Sequence, residues 1–492
     1  MNIWDKQVSF ARFGQIAYER VPRTLIRRER EMVFDIIIFL TFAILIYFAF
    51  LNVWCFILLL SCGPDIIKKF QEATYGGIDQ LIDHLELMPV TVVTPAFNEE
   101  KRILNMLYSG LRSDYKNANF IVVNDGSTDG TLDLLKREFL LYEIPVASKQ
   151  LIKTSKIKHY YQSERFKNLM VIDKEHSPWN CAADSINAGL NACQTPIMLT
   201  IDADTVVEPE ALTRLIYTFL SHRHCVAVSG TVYCLNDNRV VHGKMLTHRL
   251  PKPFISAAQA LEHMRSFLYS RSGLNTFGGA LCFPGAFTLF ETELLHQMNG
   301  FDTQNFSYDA EITIKIHHYM RKHKYPYMVK HSSDAFCWTE MPGTWASFWK
   351  QRDKWQRGML RSAQKHIGML FNPRYGIVGL LTFPLYILFD IFGPVVEFTS
   401  LALLIISVYL EQVNWYILMW LLILAWGFIT YTTLSVLFLN VISFNKYRKR
   451  TDVFRAMWLS FTEMLGFRQF RALNCTISTL RYLVNRILGK PL

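Results

Sequence analysis

Two aspartates separated by one small residue, Asp202-Ala203-Asp204, close an apolar run over 196–201 that contains two isoleucines and reads as a buried strand. Side chains at i and i+2 of an extended chain point to the same side. The two carboxylates can therefore face one hard cation, with Ala203 leaving room for a ligand. Mg²⁺ is typically held by one or two carboxylates plus substrate phosphates. Acids capping a following helix, expected over 206–219, would explain the same pair, so the rest of the chain has to decide. Upstream, the apolar Ile121-Val122-Val123 runs into Asn124-Asp125-Gly126-Ser127-Thr128-Asp129-Gly130. Ser127, Thr128 or Asp129 can cap the next helix, which leaves Asp125 free to accept hydrogen bonds from a nucleobase or ribose. Earlier still, Val93-Thr94-Pro95-Ala96-Phe97-Asn98-Glu99-Glu100 is a strand end turning into a helix. It offers backbone amides and the Asn98 and Glu99 side chains to a nucleotide, although acids at the positive end of a helix dipole account for it equally. Downstream, Asp309 stands at the head of a helix expected over 310–321, as a cap or as a base. Gln351 and Trp355 lie four apart and share one helical face.

The elements that must position these residues alternate. Strands are expected at 90–93, 120–123, 169–172, 197–201 and 225–232, with amphipathic helical patterns such as 99–111 and 128–141 between them. This rhythm predicts a parallel, doubly wound α/β sheet whose strand ends collect at one ligand-binding edge. The segment 144–167 is basic, lacks a clear period and is expected to be a long loop.

Around that region the chain is too apolar for a soluble enzyme: of 492 residues 51% are hydrophobic, 14% aromatic and only 19% charged. The net charge of +11 fits cytoplasmic-side loops and anionic headgroups, and no nucleic-acid-binding signature accompanies it. Nine cysteines, an odd number without a Cys-x-x-Cys, read as reduced packing residues on a cytosolic face. Residues 1–31 are basic (Lys6, Arg12, Arg20, Arg23, Arg27, Arg28, Arg30) and carry no signal-peptide cleavage site. The run 32–62 exceeds the roughly 20 residues that span a bilayer but is short for two crossings. One tilted helix, or a helix and an interfacial segment, is expected. The soluble domain is placed at 85–371, and 372–444 reads as an interfacial helix followed by two crossings. Lys446, Arg448, Lys449 and Arg450 put the end of that region in the cytoplasm. The tail 445–492 is amphipathic and basic and is expected to lie on the membrane surface. An even crossing count then places the soluble domain in the cytoplasm. The basic N-terminus argues the other way, and the chemistry is given precedence.

Taken in order, Pro95-Ala96-Phe97-Asn98-Glu99, Asn124 to Gly130 and Asp202-Ala203-Asp204 resemble the nucleotide-sugar-binding half of an inverting family-2 glycosyltransferase. Ser307-Tyr308-Asp309-Ala310-Glu311 and Gln351-Arg352-Asp353-Lys354-Trp355 resemble the acceptor-side and Gln-x-x-Arg-Trp motifs of its membrane-embedded polysaccharide synthases. The resemblance covers roughly 88–470. It implies a GT-A-like doubly wound sheet domain flanked by N- and C-terminal transmembrane helices, in a multi-pass inner-membrane protein. It also implies a donor site of Pro95, Asn98, Glu99, Asp125, Asp202, Gln351 and Arg352, with Mg²⁺ or Mn²⁺ on Asp204. Asp309 would be the catalytic base, and Trp355 would position the acceptor. Three residues depart from the pattern. Tyr308 replaces an acid, Lys354 replaces an arginine and loses its bidentate geometry, and Ala182 replaces the lysine that approaches the pyrophosphate. Lys174 and His176 are the substitutes at hand. The implied activity moves a hexose or N-acetylhexosamine from a nucleotide diphosphate sugar, UDP-linked, to a growing polysaccharide or a lipid-linked acceptor. The lipid bilayer and accessory export or assembly subunits are the further partners, and nucleic acid is not one. A single-addition glycolipid transferase and a non-catalytic membrane protein on the same scaffold are the alternatives.

Overall fold

The computed structural model describes residues 23–74, 88–145, 150–179, 181–411, 413–444, 446–447 and 449–489. Lys6, Arg12 and Arg20 of the basic N-terminal segment lie outside the described residues.

The described residues form twelve strands: β1 (Val90–Ala96), β2 (Ala118–Asn124), β3 (Leu141–Glu143), β4 (Ile157–Ser163), β5 (Leu169–Lys174), β6 (Ile197–Ile201), β7 (Val206–Val207), β8 (Cys225–Cys234), β9 (Val240–Val241), β10 (Lys244–Met245), β11 (Phe287–Glu291) and β12 (Met328–Thr339). Ten form one sheet in the order β3-β4-β5-β2-β1-β6-β11-β8-β12-β7. The apolar runs that predict β1, β2, β5 and β6 are buried on both faces. Val92, Phe120, Val122 and Leu199 point into one core, and Val93, Ile121, Val123 and Met198 into the other. That is the pattern of parallel strands covered by helices on both sides. β1 is parallel to β2 and β6, and β2 is parallel to β5.

The sheet is mixed, however, not wholly parallel. β3, β4, β7 and β11 run antiparallel to their neighbours. Part of the expected loop over 144–167 is strand β4, paired to β5 with Tyr161 opposite Val171. Near the sheet edge β4 buries little beyond Tyr161 and Ser163, so its side-chain alternation lacks the apolar contrast that announces a central strand. The helix expected over 206–219 begins only at Ala211, because β7 comes first.

From β1 the chain moves outward to β2 and β5, then returns to β6 on the other side of β1. The reversal opens a crevice at the carboxyl ends of β1 and β6, where doubly wound sheets bind ligands. Asp202 follows β6 directly, and Phe97 to Glu99 follow β1.

The run 32–62 lies within one continuous helix, Arg23–Thr74, which carries Pro64 inside it. Two helical stretches, Phe34–Lys69 and Trp415–Phe444, are long and apolar enough to cross a bilayer. A third candidate is the pair Val378–Ile391 and Gly393–Tyr409, bent by 45° where Gly393 and Pro394 begin the second helix. Asn52 donates to the Leu424 carbonyl at 2.9 Å, joining the first span to the last. The basic tail forms two helices, Arg450–Thr462 and Phe467–Ile487. The latter is more than a surface helix: it packs along Trp345–Lys365 and Gly393–Tyr409. Gln356 donates to Thr479 at 3.0 Å, and Asn474 donates to the Trp349 carbonyl at 3.1 Å.

Candidate active site

Asp202 and Asp204 stand at the crevice, and among the described residues neither forms an ion pair. Burial, then the neighbouring carboxylates of Asp204, Asp309 and Glu99, push Asp202 well above the usual carboxylate range, against the charge of Lys354. Asp204 is also raised, by burial and Glu340, against a hydrogen bond from Thr339 and the charge of Arg102. Its Oδ1 accepts from the Thr339 hydroxyl at 3.0 Å and from Thr205 at 3.4 Å. Glu99 is raised by burial and by Asp204, while Arg102 pulls it back from 3.3 Å. No group of three or more His, Cys, Asp or Glu side chains forms a metal cage among the described residues. Half-buried carboxylates short of counter-charge fit a divalent ion whose remaining ligands come from a diphosphate.

Asp309 lies in the first turn of the helix Tyr308–Lys322, one residue inside its start, so it is not the helix cap. Its Oδ2 accepts from the Gly285 amide at 3.3 Å and its Oδ1 from the Ala310 amide at 2.9 Å. Burial raises it, and these two amides and Arg271 hold it back. Gly285 is required by close approach, because a Cβ there would meet the Tyr308 hydroxyl at 2.6 Å. Burial, with Asp202 and Asp309 beside it, keeps the Tyr308 phenol neutral. The residue that replaces the expected acid therefore adds no negative charge next to Asp309.

Asp125, expected to be free for a nucleotide, is already engaged. Lys174, at the end of β5 and fully buried, pairs with Asp125 and, at 2.9 Å, with Asp184. The Ser177 amide donates to Asp125 at 3.2 Å, and His176 lies 3.0 Å from its other oxygen. The substitute for the lysine absent at 182 thus holds a carboxylate at the crevice floor, and its ammonium is not open to a pyrophosphate. Gly126 has φ +63°, and a Cβ there would stand 2.8 Å from the His176 amide nitrogen. His176 stacks on Phe97 with ring centroids 4.4 Å apart, forming a partly exposed aromatic wall beside Asp125.

Asn98 also differs from expectation. With φ +58°, its Oδ1 accepts from the Thr128 amide at 2.8 Å and its own amide donates to Ser127 at 3.0 Å, so it ties two loops together. Asp129 accepts from the Thr131 amide at 3.0 Å, but the cap of the helix Thr131–Phe139 is Gly130, not Ser127, Thr128 or Asp129. Pro95 is a strand residue of β1, in register with Val123.

The motif at 351–355 divides over the helix Trp345–Lys365. Arg352, expected on the donor, is buried and donates to Glu262 at 2.6 Å, with the Trp355 ring 4.5 Å from its guanidinium. Lys354 is exposed, within electrostatic reach of Asp202 and 5.6 Å from the Phe306 ring. Gln351 is half-buried, and its Oε1 has no hydrogen-bond partner among the described residues. Sequence reasoning missed Thr339, Glu340 and Arg102. Arg102 joins Glu340 at 2.8 Å to Glu99. The available signal was a threonine and an acid closing the short apolar run Ala335-Phe336-Cys337-Trp338.

Residues 88–358 match the family described as "Glycosyltransferase like family 2". A poly-beta-1,6-N-acetyl-D-glucosamine synthase of Staphylococcus epidermidis is 23% identical over 276 residues, 56% of each chain. Its counterpart in Staphylococcus aureus strain N315 is 24% identical over 303 residues, 62% of this chain and 60% of the relative. The chain thus spans less than two thirds of the length of these relatives. Among solved structures it is similar to the mannosyltransferase PcManGT from Pyrobaculum calidifontis in complex with GDP-Man and Mn²⁺, with 14% identity, 85% and 98% of the two chains covered and a TM-score of 0.47. It is also similar to residues 1–349 of S. aureus TarS, with 16% identity, 77% and 92% covered and a TM-score of 0.36. Both scores are low, and the GT-A-like character of the mixed α/β sheet rests on its strand order and on the family match. That match takes in the crevice, Asp309 and the helix that carries Lys354, more than half of the chain, which therefore belongs to the glycosyltransferase-like family 2.

Proposed function

We propose that this glycosyltransferase is an integral membrane enzyme that moves a hexose or N-acetylhexosamine, with inversion, from a UDP-linked donor to a growing saccharide at the membrane face. One observation carries the reading. Three half-buried carboxylates meet at Asp202, which Asp204 and Asp309 raise; neither strand-end aspartate has an ion pair among the described residues, and Lys354 is the cation that acts on Asp202. A bound Mg²⁺ or Mn²⁺ would join the diphosphate to Asp204 and offset the charge of the leaving group. Asp202 would hold the nucleotide side, with Glu99 on the rim and Phe97 and His176 as the wall for the base. Lys354 takes the diphosphate role first given to Arg352, as a point charge. Asp309 takes the proton of the acceptor hydroxyl, whose oxygen forms the new bond to the anomeric carbon as the bond to the diphosphate breaks. Its raised pKa suits a base that must hold that proton. Trp355, next to Lys354 in the chain, would pack on an acceptor sugar ring. The candidate spans support a membrane location, the basic residues Lys446, Lys449 and Arg450 after the last of them support a cytoplasmic side, and the polysaccharide synthases among the relatives support a polymeric product.

The test uses the full chain in detergent with Mn²⁺ and a panel of UDP-hexoses, UDP-N-acetylhexosamines and GDP-mannose. UDP release is expected with a UDP-linked donor. Asp309→Asn is expected to lower transfer by about 10²–10⁴-fold while Mn²⁺·UDP binding persists; equal loss of both would remove the base assignment. A second reading, single addition to a lipid, is favoured by the small number of spans: two helices and one bent pair among the described residues. Product sizing separates a ladder from one added sugar.

A further inference from the structure

Two of the membrane-crossing candidates, Phe34–Lys69 and Trp415–Phe444, grip the same strand. At the end of the first, Lys69 lies 3.6 Å from Asp334 of β12, and Ser333 of β12 donates to Asp65 at 3.4 Å. Two residues beyond the last, Lys446 stands 3.9 Å from the centroid of the Phe336 ring of β12 and pairs with Glu208 at 2.5 Å. Glu208 also accepts from the indole of Trp338, again in β12, at 2.9 Å, and its amide donates to the Phe336 carbonyl at 3.1 Å. The pairing of β12 with β8 shifts register between His331 and Phe336, where both helices attach. Beyond that irregularity, Trp338 and Cys337 pair with β7, the two-residue strand that follows Asp204. The next residue, Thr339, donates to the Asp204 carboxylate. Asp204 is thus bracketed by a hydrogen bond from the end of β12 and by the Thr205–Glu208 turn that Lys446 and Trp338 pin.

We propose that β12 couples the membrane helices to Asp204, with Glu208 and Lys446 as positioning residues that fix the 202–208 turn in its metal-holding geometry. The coupling rests on the reading of Asp204 as a metal ligand, but the rigidity of the turn can be measured without it. Partners that orient a ligating carboxylate matter because a loosely held carboxylate must be ordered when the ion binds. Losing such a partner typically lowers metal affinity by about 10–100-fold. The Lys446–Glu208 pair can act as such a clamp because both side chains are more than four-fifths buried, at 16% and 18% exposure, so solvent screens it little.

Hydrogen exchange of the metal-free, full-length protein in detergent is the first measurement. Lys446→Met is expected to speed exchange over 202–208 and to leave 90–124 unchanged; Lys446→Arg restores the slow exchange. The second is Mn²⁺ affinity in the presence of UDP, read by electron paramagnetic resonance. It is expected to weaken by about tenfold in Lys446→Met and to recover in Lys446→Arg. Glu208→Gln is expected to reproduce both changes, which covers poor folding of either variant. Lys449→Met, an exposed cation three residues on, is the control. Unchanged exchange over 202–208 in Lys446→Met and Glu208→Gln, or an equal effect of Lys449→Met, overturns the proposal. A wild type that binds no Mn²⁺·UDP defeats the functional reading alone, and exchange still decides the coupling.

Discussion

Two regions of this molecule bury charge densely, and they treat it in opposite ways. At the crevice, Asp202, Asp204, Asp309 and Glu99 are gathered with few cations, and all four carboxyls are raised. Where the helix Phe254–Met264 meets the tail helix, carboxylates and guanidinia are matched. Glu262 takes Arg352 and Arg471 at 2.6 Å each, Arg265 meets Glu463 at 2.6 Å, and Glu397 pairs with Arg468. Burial alone would raise Glu262, yet Arg352 and Arg471 hold it below its ordinary value. Buried charge that is already compensated serves the architecture; buried charge left short of counter-ions is a site waiting for one. This contrast separates Arg352 from Lys354, two residues apart on one helix.

The largest effect expected from breaking it is on stability. Arg352→Met removes one of two guanidinia from Glu262 and is expected to cost up to about 3 kcal/mol, the low end of the penalty for a broken buried pair, because Arg471 stays on Glu262. Lys354→Met is expected to change stability by less than about 0.5 kcal/mol, as exposed substitutions do, and to raise the donor KM instead. Denaturant melts and donor titrations of both variants check this. If Arg352→Met acts on KM with unchanged stability, the two residues have been assigned the wrong way round.

The matched region also shows what was legible in the chain and what was not. That Asp202 and Asp204 follow a buried strand, and that Asp309 stands in the first turn of a helix, could be read from sequence because the apolar run 196–201 and the helix over 310–321 are local patterns. The engagement of Asp125 could not. Its partner, Lys174, lies 49 residues away at the end of another strand, and only the β2–β5 pairing brings them together. Arg352 was misplaced for a similar reason: a motif fixes spacing along a helix, whereas Glu262, which captures the guanidinium, is set 90 residues apart by packing. Two of the antiparallel strands escaped because β7 is only two residues long and β4 lies near the edge, where apolar alternation is weak.

A smaller effect, of opposite sign, is expected at the crevice. Above the raised pKa of Asp202, about 8, Asp202→Asn removes a like charge from a half-buried cluster. It should stabilise the metal-free protein by about 1 kcal/mol, the worth of roughly one pK unit, while weakening Mn²⁺ binding. A loss of metal-free stability would mean that Lys354 or another cation compensates Asp202 in full, and the contrast between the regions would fall.

The dependence on pH should split the two regions, each with its own sign. Asp202 and Asp204 have folded-state pKa values raised above their unfolded ones, by burial and by neighbouring acids. In the metal-free protein their contribution to stability is fully present below the ordinary carboxylate range, about 4, and is lost as pH rises through the raised values. Glu262 behaves in reverse. Its folded value is depressed, so its contribution is present above the ordinary range and is lost as pH falls through that depressed value. Metal-free melts from acid to neutral pH should therefore show a loss at each end. Asp202→Asn is expected to flatten the limb on the neutral side, and Arg352→Met the limb on the acid side. Saturating Mn²⁺ with UDP should flatten the neutral limb in the wild type, because an ion bound only to ionised carboxylates favours the deprotonated fold. A neutral limb unmoved by both Asp202→Asn and Mn²⁺·UDP would place its titrating groups outside the crevice.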